Sequence, residues 1–262
     1  MSALNYAELN IKQIKALLAQ CPSFETEALL TELAHDPRDG VQKLIAQSRR
    51  KLEKQAQAEA NLAYLKKTEN SLRQKGYHVI CGCDEVGRGP LAGPVVAAAV
   101  IMPEDCRIYG VNDSKKLNAK QREELSDEIH AKAIAAAIAE ISPRIIDAVN
   151  ILQASRLAMA EAVKKINETH PIDIIAVDGW ANPMFTLPQE AIIKGDSKCF
   201  SISCASIIAK VYRDHLMEDL DRQYPGYNFA QNKGYPTKEH YEALKRLGPS
   251  DIHRISFDLK LS

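Results

Sequence analysis

No stretch of this 262-residue sequence is apolar for long enough to cross a bilayer, which takes about eighteen or more consecutive apolar residues. The opening segment, MSALNYAELNIKQIKALLAQ, lacks the basic stretch and apolar run of a secretory signal. An excess of either charge is also missing. The 34 basic and 34 acidic side chains cancel, so bulk charge announces no nucleic-acid partner and must be read locally. The six cysteines (Cys21, Cys81, Cys83, Cys106, Cys199 and Cys204) do not repeat at zinc-site spacing. Without a signal segment they are expected to be buried free thiols in a reducing cytoplasm. Glycine is nearly absent from the first 75 residues, where only Gly40 occurs.

That glycine-poor segment is rich in Ala, Leu, Lys, Gln and Glu, all helix formers. Ile11, Ile14, Leu17, Leu18 and Cys21 predict one helix, ended by Pro22, because a residue before proline avoids helical geometry. Leu29, Leu30 and Leu33 mark a second, and a long polar helix follows over 41–74 with a thin stripe of Val41, Ile45, Leu52, Ala56 and Ala63. Residues 1–40 carry three basic and six acidic side chains, whereas 41–76 carry nine and three. A basic helix face is commonly just a solvated one; its sharper reading is an arm for nucleic acid. Residues 1–75 therefore read as a helical extension and 76–262 as the main domain.

In that main domain, apolar runs at 77–83, 94–102 and 133–141 predict strands. Ser142-Pro143 reads as a helix cap followed by proline at the first helical position. Ile145, Val149, Leu152, Met159, Val163 and Ile166 continue that helix. The run at 172–177 has the continuous apolar character of a central parallel strand, and 191–193 is a last short one. Helices are expected over 202–223, with Cys204, Ile208, Val211 and His215 buried, and over 237–246. Three adjacent strands followed by strand–helix alternation imply an α/β fold with a mixed sheet flanked by helices.

Acids gather just past the strand ends: Asp84 and Glu85, then Asp178, then Asp196. Residues leaving strand ends converge on one edge of a sheet, where ligands bind. Any one of these acids could be a plain turn former. Together they would repel, and a hard divalent cation with oxygen-only ligands, Mg²⁺ or Mn²⁺, would relieve the repulsion. The loop after the first acids, Gly87-Arg88-Gly89-Pro90-Leu91-Ala92-Gly93-Pro94, lets backbone approach a ligand closely, and Arg88 offers a guanidinium fork for phosphate. Without the adjacent acids it would read as a tight irregular turn.

At DEVGRGPLAGPVVAAAV the sequence resembles the signature of the ribonuclease HII (type 2 ribonuclease H) family. The resemblance continues through VNDSKKL, VDG, KGDSK, SCASIIAKVYRD, NKGYPTKEH and IHRISF, covering roughly 76–257. It implies an RNase H-like five-stranded sheet and a metal-dependent nuclease. Asp84, Glu85, Asp178 and Asp196 would be its catalytic and metal-holding acids. Asp214 is a competitor for the fourth place, set aside because it lies mid-helix beside Arg213, as a structural ion-pair residue. Gly87, Arg88, Gly89 and Tyr235 would contact substrate, with Asn112, Ser114, Lys115, Asn150 and Ser206 as further candidates. His253 and Arg254 read as structural.

The resemblance further implies two divalent ions during catalysis and hydrolysis leaving a 3′-hydroxyl and a 5′-phosphate. The substrates would be RNA–DNA hybrids and duplex DNA carrying single ribonucleotides, cut on the 5′ side. The Gly87–Gly89 backbone would bond a 2′-hydroxyl, and the Tyr235 ring would pack on the next deoxyribose. As a lone residue, Tyr235 could equally be a partly buried tyrosine. The enzyme is expected to be a monomer with no membrane association. A ribonuclease HIII-like nuclease is a rival, opposed by the helical N-terminus and the Gly-Arg-Gly loop. A non-catalytic hybrid-binding protein is opposed by the complete set of acids, and a small-molecule phosphatase by the wider motif set.

Overall fold

The computed structural model describes residues 6–261. They divide into two compact units, one ending at Asn61 and one beginning at Leu62.

The first unit is helical. Helix α1 (Ile11–Gln20) opens on a capping box, in which Asn10 and Gln13 bond each other's backbone N–H. Helix α2 (Ser23–Leu33) and the first part of α3 (Asp39–Leu65) close around Ile14, Leu29, Leu30, Leu33, Val41 and Ile45. The chain leaves α1 at Cys21-Pro22 as proline demands. The apolar stripe of α3 differs from the sequence expectation past Leu52, since Ala56 and Ala63 are exposed. The helix also does not run unbroken to Gln74; it stops at Leu65 and a separate α4 spans Lys67–Gln74. Around that break the second unit begins, with Leu62, Leu65 and Leu72 all buried in it.

The second unit is built on strands β1 (Ile80–Val86), β2 (Val95–Ile101), β3 (Ala135–Ile141), β4 (Ile174–Asp178) and β5 (Gln189–Ile192). They form one sheet in the order β3-β2-β1-β4-β5. Strand β2 runs antiparallel to both neighbours, while β1, β4 and β5 are parallel. The C-terminal ends of β1, β3, β4 and β5 therefore share one edge. This is the mixed five-stranded sheet that the sequence predicts.

Helices cover both faces. Helices α6 (Pro143–Val149) and α7 (Ile151–Asn167) follow β3, and Ala154, Ala158 and Ala162 of α7 pack with Cys81, Cys83, Ala97 and Ile175 on one face. Helix α8 (Phe200–Gln223) sets Cys204, Ile207 and Ile208 against Val96, Ala98 and Val100 on the other. A Cβ at Gly82 would lie 2.2 Å from the Ser201 backbone, so only glycine lets α8 come this close to β1. Two short helices, α9 (Phe229–Asn232) and α10 (Lys238–Leu247), follow.

Several expectations are corrected. Helix α5 (Ala119–Lys132) is absent from the sequence reading, because its buried apolar side chains reduce to Leu125 and Ile129. The helix expected over 142–166 is interrupted at Asn150, whose φ of 68° breaks helical geometry. His215 is not on the buried face of α8; its ring is exposed and lies 2.8 Å from Glu123. Strand β1 reaches Val86, so Asp84 and Glu85 sit in its last residues rather than beyond it.

Candidate active site

Asp84 occupies the fifth position of β1, paired with Ala98 of β2. It is only 5% exposed. One carboxylate oxygen accepts the Glu85 N–H at 2.8 Å, and the Ser206 hydroxyl of α8 also donates to it. Asp178 ends β4 on the same edge, and Asp196 sits on the short turn Gly195–Ser197 that follows β5. The Gly195 N–H donates to Asp178 Oδ1 at 2.6 Å, tying the two loops together.

Asp84, Glu85 and Asp196 each sense neighbouring acids. Burial, with Glu85 and Asp178 nearby, holds the Asp84 carboxyl well above the usual carboxylate range. Burial raises Glu85 as well, against the pull of Arg88. Burial raises Asp196, with Asp178 and Asp113 adding and Lys115 opposing. Desolvation by the surrounding protein works against the charge of the exposed Lys115, yet Asp196, Asp113, Asp84 and Asp178 together hold its ammonium above the ordinary value. Among the described residues no three potential ligands close on a common point at metal-binding distance. The carboxylates influence one another electrostatically.

The other candidates divide into two sets. Ser114 and Ser206 are buried, and their hydroxyl oxygens lie 3.1 Å apart beside Asp84. Lys115 Nζ lies 3.8 Å from Asp196, and Arg88 Nη1 donates to Glu85 at 3.3 Å. Tyr235 faces the glycine loop: a Cβ at Gly89 would meet its ring at 3.6 Å. Gly87 adopts φ of +90° and has no room for a side chain, since a Cβ would fall 2.3 Å from Arg213 Nε. The side-chain oxygens of Asn112 and Asn150 make local bonds. Asn112 accepts the Asp113 N–H, and Asn150 caps α7 by accepting from Leu152 and Gln153.

Asp214 makes its ion pairs with Lys210 at 2.6 Å and Arg122 at 3.5 Å rather than with Arg213. Asp113 is a further acid beside Asp196 and Lys115, outside the sequence-derived set; it caps its own turn through the Lys115 N–H. Its position just before Ser114 was the only available signal, and that signal is equally that of a cap.

Comparison with known proteins settles the relationship. Residues 81–260 match the family model of ribonuclease HII, and residues 10–73 match that of its N-terminal domain. The chain belongs to the ribonuclease HII family. A ribonuclease HII from Listeria monocytogenes is 47% identical over 249 residues, covering 95% of this chain and 94% of the relative. The ribonuclease H2 structure from Pyrococcus horikoshii OT3 superposes with a TM-score of 0.57 at 27% identity, over 70% of this chain and 95% of that one. Bst-RNase HIII in complex with Mn²⁺ shares the fold, at 18% identity and a TM-score of 0.56, over 71% and 69% of the two chains. Membership carries the class of activity, a ribonuclease H hydrolase acting on RNA–DNA hybrids. The rival reading as a ribonuclease HIII gives way to the matched ribonuclease HII N-terminal domain.

Proposed function

We propose that this ribonuclease HII cuts duplex DNA on the 5′ side of single embedded ribonucleotides as well as cutting long hybrids, leaving a 3′-hydroxyl and a 5′-phosphate. The observation that carries this reading is the placement of Tyr235 against Gly89, one loop away from Asp84 and Glu85.

Asp84, Glu85, Asp178 and Asp196 would hold divalent ions, Mg²⁺ or Mn²⁺, two during catalysis. The fit rests on Asp84, a carboxylate 5% exposed among three other acids, whose hydrogen bonds come from one N–H and one hydroxyl. An uncompensated buried charge is costly, and an all-oxygen donor set suits hard cations. When bound, such ions activate water and stabilise the charge of an in-line displacement at phosphorus.

The protein's own residues supply position. The carbonyls of Gly87 and Arg88 accept hydrogen bonds from Arg254 at 2.6 and 3.0 Å. A planar trans peptide then aims the Arg88 and Gly89 N–H groups the opposite way, toward where a ribose 2′-hydroxyl would be read. The Tyr235 ring, 37% exposed, offers a flat surface to the next sugar, where a second 2′-hydroxyl would clash. Arg88, half exposed, is a fork for phosphate. Ser206 orients Asp84, with Ser114 bonded behind it.

The test compares a duplex containing one ribonucleotide with a long hybrid, each with metal and with chelator. Cleavage 5′ of the single ribonucleotide, abolished by chelator, is the expected result. Cutting confined to long RNA tracts would contradict the junction reading.

A further inference from the structure

Arg213 and Arg254 are both buried to 0% exposure, and every hydrogen bond they make goes to a backbone carbonyl. Arg213 donates to Pro94 at 3.1 Å, Ala92 at 3.1 Å and Lys233 at 2.9 Å. Arg254 donates to Gly93 through two nitrogens at 3.0 and 2.9 Å, to Gly87 at 2.6 Å and to Arg88 at 3.0 Å. The two guanidiniums thus hold five carbonyls of the loop over 87–94 and one carbonyl two residues before Tyr235.

Backbone bonds complete the assembly. The Leu91 N–H donates to Gly234, the Gly93 N–H to Ile252, and the Arg254 N–H to Leu91, at 2.8, 2.9 and 2.8 Å. There is no slack around these bonds: a Cβ at Gly234 would lie 2.5 Å from the Ala92 carbonyl oxygen. Burial pushes Arg213 down to about 10 and Arg254 down to about 9, the Arg213 charge adding to the latter. Both remain cationic at neutral pH. Burying two cations with carbonyl dipoles as their nearest partners costs stability; a pair of apolar side chains could fill the space without addressing the loop.

We propose that Arg213 and Arg254 are positioning residues that set the spacing between the Gly87–Gly89 backbone and the Tyr235 ring, and thereby decide how sharply an RNA-to-DNA junction is told from continuous RNA. This rests on the junction reading above. Such a reading needs two surfaces at a fixed separation, one accepting a 2′-hydroxyl and one excluding it from the next sugar. A displacement of about 1 Å in a positioning element costs on the order of a hundredfold in rate. Arg213 reaches both sides of that separation; Arg254 fixes one side to the C-terminal segment.

The experiment uses Arg213→Lys and Arg254→Lys in the full chain. Lysine keeps the charge, but one ammonium cannot span carbonyls that a planar fork reaches together. Two readouts are taken: kcat/KM on the single-ribonucleotide duplex and on the long hybrid, and amide hydrogen exchange over 86–94 and 233–237. The expected result is a loss on the single-ribonucleotide duplex roughly tenfold greater than on the hybrid, consistent with misplacement by a fraction of an ångström. Exchange should rise in those two segments and stay unchanged in β4. Equal losses on both substrates, or unchanged exchange in both segments, overturns the proposal. Wild-type enzyme with no junction preference would instead sink the substrate reading, and exchange alone would then decide the positioning role. Gly234→Ala presses on the Ala92 carbonyl that Arg213 holds, without substituting either arginine, and is expected to lower the same substrate ratio should a lysine variant fail to fold.

Discussion

Asp84 is a carboxylate buried where its charge is unfavourable unless something compensates it. It is buried in a strand, repelled by Glu85, Asp178 and Asp196, and held well above the usual range mainly by burial. Asp84→Asn keeps the shape and removes the charge. Cleavage should fall by at least about a hundredfold, the scale on which a single charge-stabilising group acts. Hybrid affinity in a binding titration should stay within a few-fold, and the melting temperature without divalent ions should not drop, because the variant loses repulsion. Normal turnover in Asp84→Asn would end the metal-site assignment. This acid was legible in the sequence because acids after apolar runs and a glycine loop beside them are local patterns. Arg213 was not. Its partners Pro94, Ala92 and Lys233 lie far off in sequence and offer only carbonyls, which every residue has. Asp113 stayed hidden for a different reason: a cap and a member of an acidic site look alike in one dimension.

Between elements, α10 and the C-terminal segment meet through a histidine pair whose protons can be placed. His240 Nδ1 lies 2.9 Å from the Tyr235 carbonyl, which can only accept, so that nitrogen carries the proton. His240 Nε2 is then bare and accepts from His253 Nε2–H at 3.0 Å. His253 Nδ1 is left to accept the Ser250 N–H at 2.9 Å. Both rings must be neutral, and burial, with His240 adding, pushes His253 down to about 4. The unfolded chain takes up this proton near the ordinary value of 6.5, while the folded one resists it. The stabilisation is therefore full above about pH 6.5 and is lost as pH falls toward 4. Melting temperatures across that window should fall more steeply for the wild type than for His253→Gln; equal slopes would count against the pair. At this scale the sequence was readable wherever periodicity was strong, as in α7 and α8. It failed where the apolar side chains a helix buried were just Leu125 and Ile129, although the Asn118–Gln121 capping box of α5 was a usable start signal. It also failed where Asn150, at positive φ, turned one expected helix into two.

For the whole molecule, the sequence placed a change of character near residue 75, where glycine and strand patterns begin. The family-model matches also divide there, between 73 and 81, while the compact units of the structure divide at Asn61–Leu62, inside α3. The difference matters because 62–75 holds Leu62, Leu65 and Leu72, each buried in the second unit. The same segment holds Glu69, which accepts the Ser201 N–H at 2.7 Å in the first turn of α8. A chain starting at 76 would lose all of these. At about 1.5–3 kcal/mol for each buried leucine, the loss is comparable to the whole stability of an ordinary domain, about 5–15 kcal/mol. A chain starting at 62 keeps them and gives up Lys43, Arg49, Arg50, Lys51 and Lys54 of the basic segment. If those side chains neutralise phosphates, each contact contributes about 0.9 to the slope of log affinity against log salt on duplex DNA. The expected outcome is a folded, cleavage-competent protein from 62, with weaker hybrid binding and a shallower salt slope, and an unfolded one from 76. Melting curves and salt titrations of the two truncations check it. An unchanged slope in the 62-start protein would assign the basic helix to folding or partner docking rather than to nucleic acid. A well-folded 76-start protein would show that the second unit needs neither the three leucines nor the Glu69 cap.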